Sequence, residues 1–152
     1  MTSPYPLHMN TVEWHLVQFE GGDARELLPV VDGTSLVDLA AEFERASKYE
    51  PSGKYAGLVV DYYRFGDLRT YLTGSRAEWP GERVPLLGCD CGEWGCWPLV
   101  ARVSHDAQVI RWDTFRQPHR PGRDYGGFGP FVFDATSYAD AAEAAQRLVS
   151  GD

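Results

Sequence analysis

One short segment constrains the fold of this chain more than any other: Cys89-Asp-Cys91-Gly-Glu-Trp-Gly-Cys96-Trp-Pro-Leu. It holds all three cysteines of the 152 residues within eight positions, together with two glycines. Apolar runs flank it on both sides, and glycine-containing segments of a few residues between such runs are typical of β-hairpins. The segment therefore predicts a hairpin with strands at Val84–Cys91 and Cys96–Val103.

A third strand, Gln108–Trp112, extends this hairpin into an antiparallel meander over residues 84–112. Two helices are predicted by apolar residues at helical spacing. The first begins at Thr34 or Ser35 and ends before Pro51, and the second follows a capping box formed by Ser137 and Asp140.

The rest of the chain contributes shorter elements. Val12–Glu20 and Leu27–Val31 predict a first hairpin, in which Pro29 favours an edge or a bulge. Tyr55–Tyr63, Leu68–Thr73 and Phe131–Phe133 are predicted as further strands. Glu42 and Glu44 are interpreted as surface charges. The resulting expectation is an α+β fold, with an antiparallel sheet centred on the meander and packed against two amphipathic helices.

Length and composition bound the class of protein. A chain of 152 residues fits a single domain, 1–152, with residues 1–10 as a loose lead-in. The net charge of −8 disfavours nucleic-acid and anionic-membrane partners, since both need a basic surface. The start lacks a secretory signal, and the cysteine count is odd, so we expect a cytoplasmic protein with reduced thiols.

Strand alternation predicts that the three thiols share one face at the hairpin tip. Three interpretations are open: a zinc site, a Cys91–Cys96 disulfide, or apolar packing beside Trp94, Trp97 and Trp112. A zinc site would need a fourth ligand. His105 lies at the far end of the second strand, whereas the third strand returns toward the cysteines, so His119 is the better candidate. The sequence thus predicts either no cofactor or zinc on Cys89, Cys91, Cys96 and His119.

A basic strip runs through residues 101–123, where five arginines outnumber two aspartates. It is interpreted either as a solvated edge or as a binding site for a phosphate or carboxylate. The cysteine end of the meander and the loop at 113–130 together predict a contact surface for a protein or a small anionic ligand, because long irregular loops with arginine and aromatic residues are common contact sites. That surface comprises Trp94, Trp112, Arg116, His119 and Arg120. No catalytic residue is indicated, and a non-enzymatic binding module is favoured over an enzyme.

Three segments together resemble a known group: Leu86–Leu99, residues 109–121, and Gly129-Pro130-Phe131-Val-Phe133. The chain resembles a group of uncharacterised bacterial proteins that share a C-x-C-G-x-x-G-C-x-P-L segment. The resemblance covers about the C-terminal half. It implies family membership and a bacterial source, but no reaction, ligand or functional residue.

Overall fold

The computed structural model of the chain describes residues 9–19, 24–61, 68–73, 83–93 and 95–151. Over these residues the fold is α+β, with antiparallel strands packed against helices, as predicted. The strands form two sheets rather than one. The elements in chain order are β1 (Val12–Gln18), β2 (Arg25–Val31), β3 (Thr34–Ser35), α1 (Leu36–Ala46), β4 (Tyr55–Ala56), β5 (Leu58–Val59), α2 (Leu68–Leu72), β6 (Arg83–Cys89), β7 (Leu99–His105), β8 (Val109–Arg116), β9 (Phe131–Asp134) and α3 (Ala135–Ser150).

The first sheet is built on the predicted hairpin of β1 and β2, which pair antiparallel over their whole length. The other edge of β2 pairs with β5 at Glu26–Leu27 and with β3 at Val30–Val31. Pro29 lies between these two short pairings. A proline, which has no N–H to donate, is therefore accommodated inside an otherwise paired strand.

The second sheet has the order β4-β6-β7-β8-β9, and every neighbouring pair is antiparallel. It confirms the meander predicted from residues 84–112. The third strand runs four residues beyond the predicted end, to Arg116, and contains an irregularity. Val100 pairs with Arg116 while Arg102 pairs with Asp113, so β8 holds one extra residue between these pairs. This bulge bends the strand where the following loop begins.

The two long helices are both predicted, but the residue that caps the start of α3 differs from the prediction. Ser35 caps α1 as expected, because its Oγ accepts the Asp38 N–H at 3.1 Å. The capping box at Ser137 is wrong: α3 begins at Ala135, and the carboxylate of Asp134 accepts the Ser137 N–H at 2.9 Å. Aspartate is as good an N-cap as serine, and here β9 ends directly at Asp134.

Residues 68–73 were predicted as a strand, and the structure shows instead that Leu68–Leu72 form the short helix α2. Leu68, Tyr71 and Leu72 are all buried, which is helical rather than alternating spacing. The Leu68 N–H donates to the Gln146 side chain of α3 at 2.7 Å. Packing against α3 therefore decides the conformation of a segment too short to fix it alone.

The main core cluster is rich in aromatic rings. Trp14 of β1, Trp112 of β8, Phe133 of β9 and Tyr138 of α3 meet edge to face, with ring centroids 4.8–6.2 Å apart. Asn10, at the end of the predicted lead-in, is held to β9 by hydrogen bonds with Val132 at 2.7 and 2.8 Å. Within the described residues, no helix has the length and apolar character needed to cross a membrane.

Candidate metal centre

The cysteines lie in and beside the loop at 90–98, which joins β6 to β7. The loop is built from two consecutive turns rather than from the strand ends that the sequence predicted. The Gly92 N–H donates to the Cys89 carbonyl at 2.9 Å, and the Cys96 N–H donates to the Glu93 carbonyl at 3.3 Å. Gly92 has a φ of +94°, and a Cβ there would meet the Phe19 ring at 3.4 Å. The positive φ favours glycine at this turn, whereas the added Cβ would make only an ordinary contact with Phe19.

The two turns bring the three sulfurs together. The Sγ atoms of Cys89, Cys91 and Cys96 all lie within 4.8 Å of one another. Cys89, at the end of β6, is 7% exposed, whereas Cys91 and Cys96 face solvent. The predicted cluster is confirmed, but the predicted reason is wrong, because Cys91 and Cys96 are not opposed across a strand ladder. All three are free thiols.

The loop backbone also supplies hydrogen bonds to the thiols. The Cys91 N–H donates to the Cys89 Sγ at 3.4 Å, within the range for a sulfur acceptor. Burial raises the pKa of Cys89 to about 12. Burial also acts to raise the pKa of Cys91, but hydrogen bonds from the Glu93 backbone and from the other two thiols outweigh it. The pKa of Cys91 therefore lies below its ordinary value.

His119 lies against the same loop, as its position after β8 predicted. Its Nε2 is 2.6 Å from the Gly95 carbonyl oxygen. A carbonyl oxygen only accepts, so in the neutral ring Nε2 bears the hydrogen and Nδ1 keeps its lone pair. His119 is not part of the group of close ligand atoms that the three cysteines form. The structure therefore brings three of the four predicted ligands into one group and places the fourth beside it.

The predicted contact surface is only partly present at the surface. Trp112 is 0% exposed, and its indole N–H donates to the Tyr138 hydroxyl at 3.0 Å. Its assignment to a surface is wrong, because alternation along β8 turns Ile110 and Trp112 inward and Arg111 outward. Trp94 lies outside the described residues.

Arg116, His119 and Arg120 are exposed. The Arg120 guanidinium lies 4.6 Å from the centre of the Trp97 ring, a cation–π geometry. Trp97 is itself buried, and its Nε1 has no hydrogen-bond partner in the described structure. The role of these exposed residues in binding a partner stays a prediction.

A buried polar cluster beside the loop was not predicted. Glu44 of α1 is 0% exposed, so its interpretation as a surface charge is wrong. Its carboxylate accepts from Arg123 Nη1 at 2.6 Å, from the Tyr125 hydroxyl at 2.7 Å and from the Gly53 N–H at 3.0 Å. A signal was available, since the spacing of Leu36, Ala40 and Glu44 places all three on one helix face.

Chemically, three thiols and a nearby imidazole are ligands for a soft or borderline divalent metal. Comparison with protein-family models, with curated proteins and with solved structures finds no match for this chain. The resemblance to uncharacterised bacterial proteins therefore stays a prediction, and any function has to be argued from the site itself.

Proposed function

We propose that the chain binds one zinc ion through Cys89, Cys91 and Cys96, and that this site holds the tip of the β6–β7 hairpin in place. The main support is the approach of the three sulfurs to within 4.8 Å of one another. Tetrahedral zinc with Zn–S bonds of about 2.3 Å separates two sulfurs by about 3.8 Å. The thiols would therefore need to close by no more than about 1 Å to share an ion.

The loop has two further features of thiolate metal sites. A backbone N–H already points at the Cys89 sulfur, and such a bond stabilises the anionic form of the ligand. Cys89 is buried at a strand end, which fixes one ligand on a rigid element. A site with ligands supplied largely by one loop orders that loop when metal binds.

His119 is our candidate for the fourth ligand. Metal-bound histidines usually donate their second ring N–H to a carboxylate or a backbone carbonyl. The bond from Nε2 to Gly95 is of this kind and leaves Nδ1 available. The other described histidines are elsewhere: His105 ends β7 at the opposite end of the hairpin, and His15 contacts Glu13 on β1.

The first experiment measures metal content. Protein purified under reducing conditions from zinc-supplemented cells should contain close to one zinc per chain. Less than about 0.1 zinc per chain would contradict the proposal, because a structural site should be almost fully occupied. Replacing zinc with cobalt should give thiolate-to-metal charge transfer in the ultraviolet and the visible absorption of a tetrahedral site.

The second experiment assigns the ligands. Cys91→Ser should either abolish the cobalt charge-transfer band or lower its intensity by the contribution of one thiolate. His119→Ala should weaken zinc binding by at least the roughly 10–100-fold that loss of an outer hydrogen-bond partner costs. His105→Ala is the matched control and should leave the affinity unchanged. Equal affinities for the two histidine variants would remove His119 from the ligand set.

A further inference from the structure

A second candidate site is lined by residues on both sides of His119 in the chain, Pro118 and Pro121 among them. A cleft of about 780 Å³ opens where β8 runs into the loop at 117–126. Its walls are largely apolar and include Val100, Phe115, Pro118 and Pro121. The volume is in the range that holds a small organic molecule.

Basic side chains line this cleft. Arg83 of β6 donates from Nε to the Thr114 carbonyl at 3.2 Å, and its terminal nitrogens have no partner in the described part of the chain. The Arg116 side chain is exposed and forms no hydrogen bond or ion pair with any described residue. Arg123 also lines the cleft, but its charge is paired with Glu44. Arg83 and Arg116 therefore offer guanidinium donors to a ligand.

The acidic side chain in the cleft wall is Asp124. Its Oδ1 accepts the Gly126 N–H at 2.7 Å, which fixes the carboxylate within its own turn. One carboxylate against two available guanidinium groups leaves the cleft net positive. This balance suits a ligand with a single negative charge better than a doubly charged one, since the fixed carboxylate repels the second charge.

An unpartnered buried donor lies in the same wall. Gln117 is 1% exposed, and its Oε1 accepts the His119 N–H at 2.6 Å, which orients the amide. Its Nε2 has no hydrogen-bond partner among the described residues. Leaving a buried donor unsatisfied costs about 1–3 kcal/mol, so such groups are rare unless a ligand or an ion completes them.

The backbone of this wall is strained. Thr114, in the bulge of β8, has a φ of +53°, which is a genuine outlier for a β-branched residue. Strained residues and bulges concentrate at binding sites, where they redirect side chains. Here the bulge changes the register before Arg116 and Gln117, and it presents the Thr114 carbonyl to Arg83.

We propose that this cleft binds a small organic carboxylate with an apolar body. Arg83 and Arg116 hold the carboxylate, since the planar guanidinium fork matches its two oxygens. The Gln117 amide completes the polar end, and Val100, Phe115 and the two prolines enclose the hydrocarbon part. This site shares no ligand with the proposed zinc centre.

The test is calorimetric titration of the full-length protein with benzoate, phenylacetate and hexanoate. Each acid is paired with its neutral amide, and phenyl phosphate is included. We expect at least one acid to bind, its amide to bind at least about tenfold more weakly, and phenyl phosphate not to exceed the acids. Failure of all three acids to bind at up to about 10 mM would overturn the proposal. Tighter binding of phenyl phosphate would overturn the assignment to a carboxylate.

Variants locate the binding. Arg116→Ala and Arg83→Ala should each weaken the acid by about tenfold or more. Arg147→Ala, in an exposed pair with Glu143 on α3, is the matched control and should change nothing. Gln117→Glu keeps the acceptor for the His119 N–H but replaces the free donor with an oxygen, so it should abolish binding. Unchanged affinity in both Arg116→Ala and Gln117→Glu would contradict the site.

A readout independent of ligand binding separates the two proposals. The Arg116→Ala variant should keep the zinc content of the parent protein and its cooperative thermal unfolding. If Arg116→Ala no longer binds the carboxylate but keeps its zinc, the carboxylate binds in the cleft. If Cys91→Ser fails to bind the acid, as Arg116→Ala does, the acid binds at the metal. That result would overturn the proposal that it binds in the cleft.

Discussion

Glu44 is the clearest case in which one residue decides local structure. Its carboxylate is fully buried and accepts from Arg123, Tyr125 and Gly53. Arg123 also donates to the Pro51 carbonyl at 2.7 Å and lies over the Tyr49 ring. The irregular segment after β8 is therefore fixed to α1 by charge-assisted bonds, in addition to packing of Phe43 against Tyr125 and Phe128.

Removing the charge at Glu44 should destabilise the fold strongly. In Glu44→Gln, Arg123 would remain buried without its counter-charge, and breaking such a pair costs about 3–5 kcal/mol. Glu42→Gln, two residues earlier on the exposed side of α1, is the matched control and should stay within about 0.5 kcal/mol. Chemical denaturation measures both free energies of unfolding. Equal stabilities would mean that the ion pair does not hold the loop.

Among the helices and strands, most differences between the observed and the predicted elements lie where a helix starts or a strand ends. β9 ends at Asp134, and α3 begins at the next residue, so a single side chain serves both elements. The Asp134 carboxylate accepts the Ser137 N–H, which has no partner inside the helix.

Asp134→Ala should therefore lower the free energy of unfolding by about 0.5–2 kcal/mol, as expected for loss of an N-cap. Ser137→Ala should change it by less than about 0.5 kcal/mol, because the exposed Ser137 side chain does not cap the helix. Thermal or chemical unfolding of the two variants distinguishes them. A larger effect at Ser137 than at Asp134 would restore the capping box predicted from the sequence.

For the whole molecule, buried tyrosines link distant elements and make stability depend on pH. Burial raises the pKa of Tyr125 to about 12, and the hydrogen bond to Glu44 adds to this rise. Burial likewise raises the pKa of Tyr55, which shares a hydrogen bond with Tyr125, and that of Tyr138, whose hydroxyl donates to the Leu72 carbonyl.

A tyrosine whose pKa is higher in the folded chain than in the unfolded chain stabilises the fold. This contribution is fully present at pH values below the unfolded pKa of about 10. Above that pH the unfolded chain loses protons that the folded chain keeps, so the free energy of unfolding falls as pH rises through about 12. Denaturant titrations at about pH 9 and about pH 11 should show lower stability at the higher pH. An unchanged or higher value at the higher pH would contradict the burial of these hydroxyls.

The sequence predicts much of this architecture because local patterns agree with the global fold. The first hairpin, the meander, α1 and α3 all follow from apolar spacing and turn residues. The cysteine cluster follows from proximity along the chain. The strand predicted at Leu68–Thr73 is wrong, since the helix of five residues that forms there depends on packing against α3.

Long-range features of the sites could not be read from sequence. Gln117, Arg83 and Thr114 carry no motif, and only the bulge of β8 brings them to one cleft. The burial of Trp112 follows from the face of β8 that packs inward, which is a property of the tertiary fold. Glu44 and Arg123 are separated by 79 residues, so their pairing is a property of the tertiary fold.

X-ray absorption at the zinc edge of the purified protein measures the proposed zinc site at the hairpin tip without substitutions or metal exchange. We predict a first shell of three sulfurs at about 2.3 Å and one nitrogen at about 2.0–2.1 Å. The three sulfurs correspond to Cys89, Cys91 and Cys96, and the nitrogen to His119. A shell of oxygen and nitrogen alone, or protein without zinc, would mean that the three cysteines do not bind zinc.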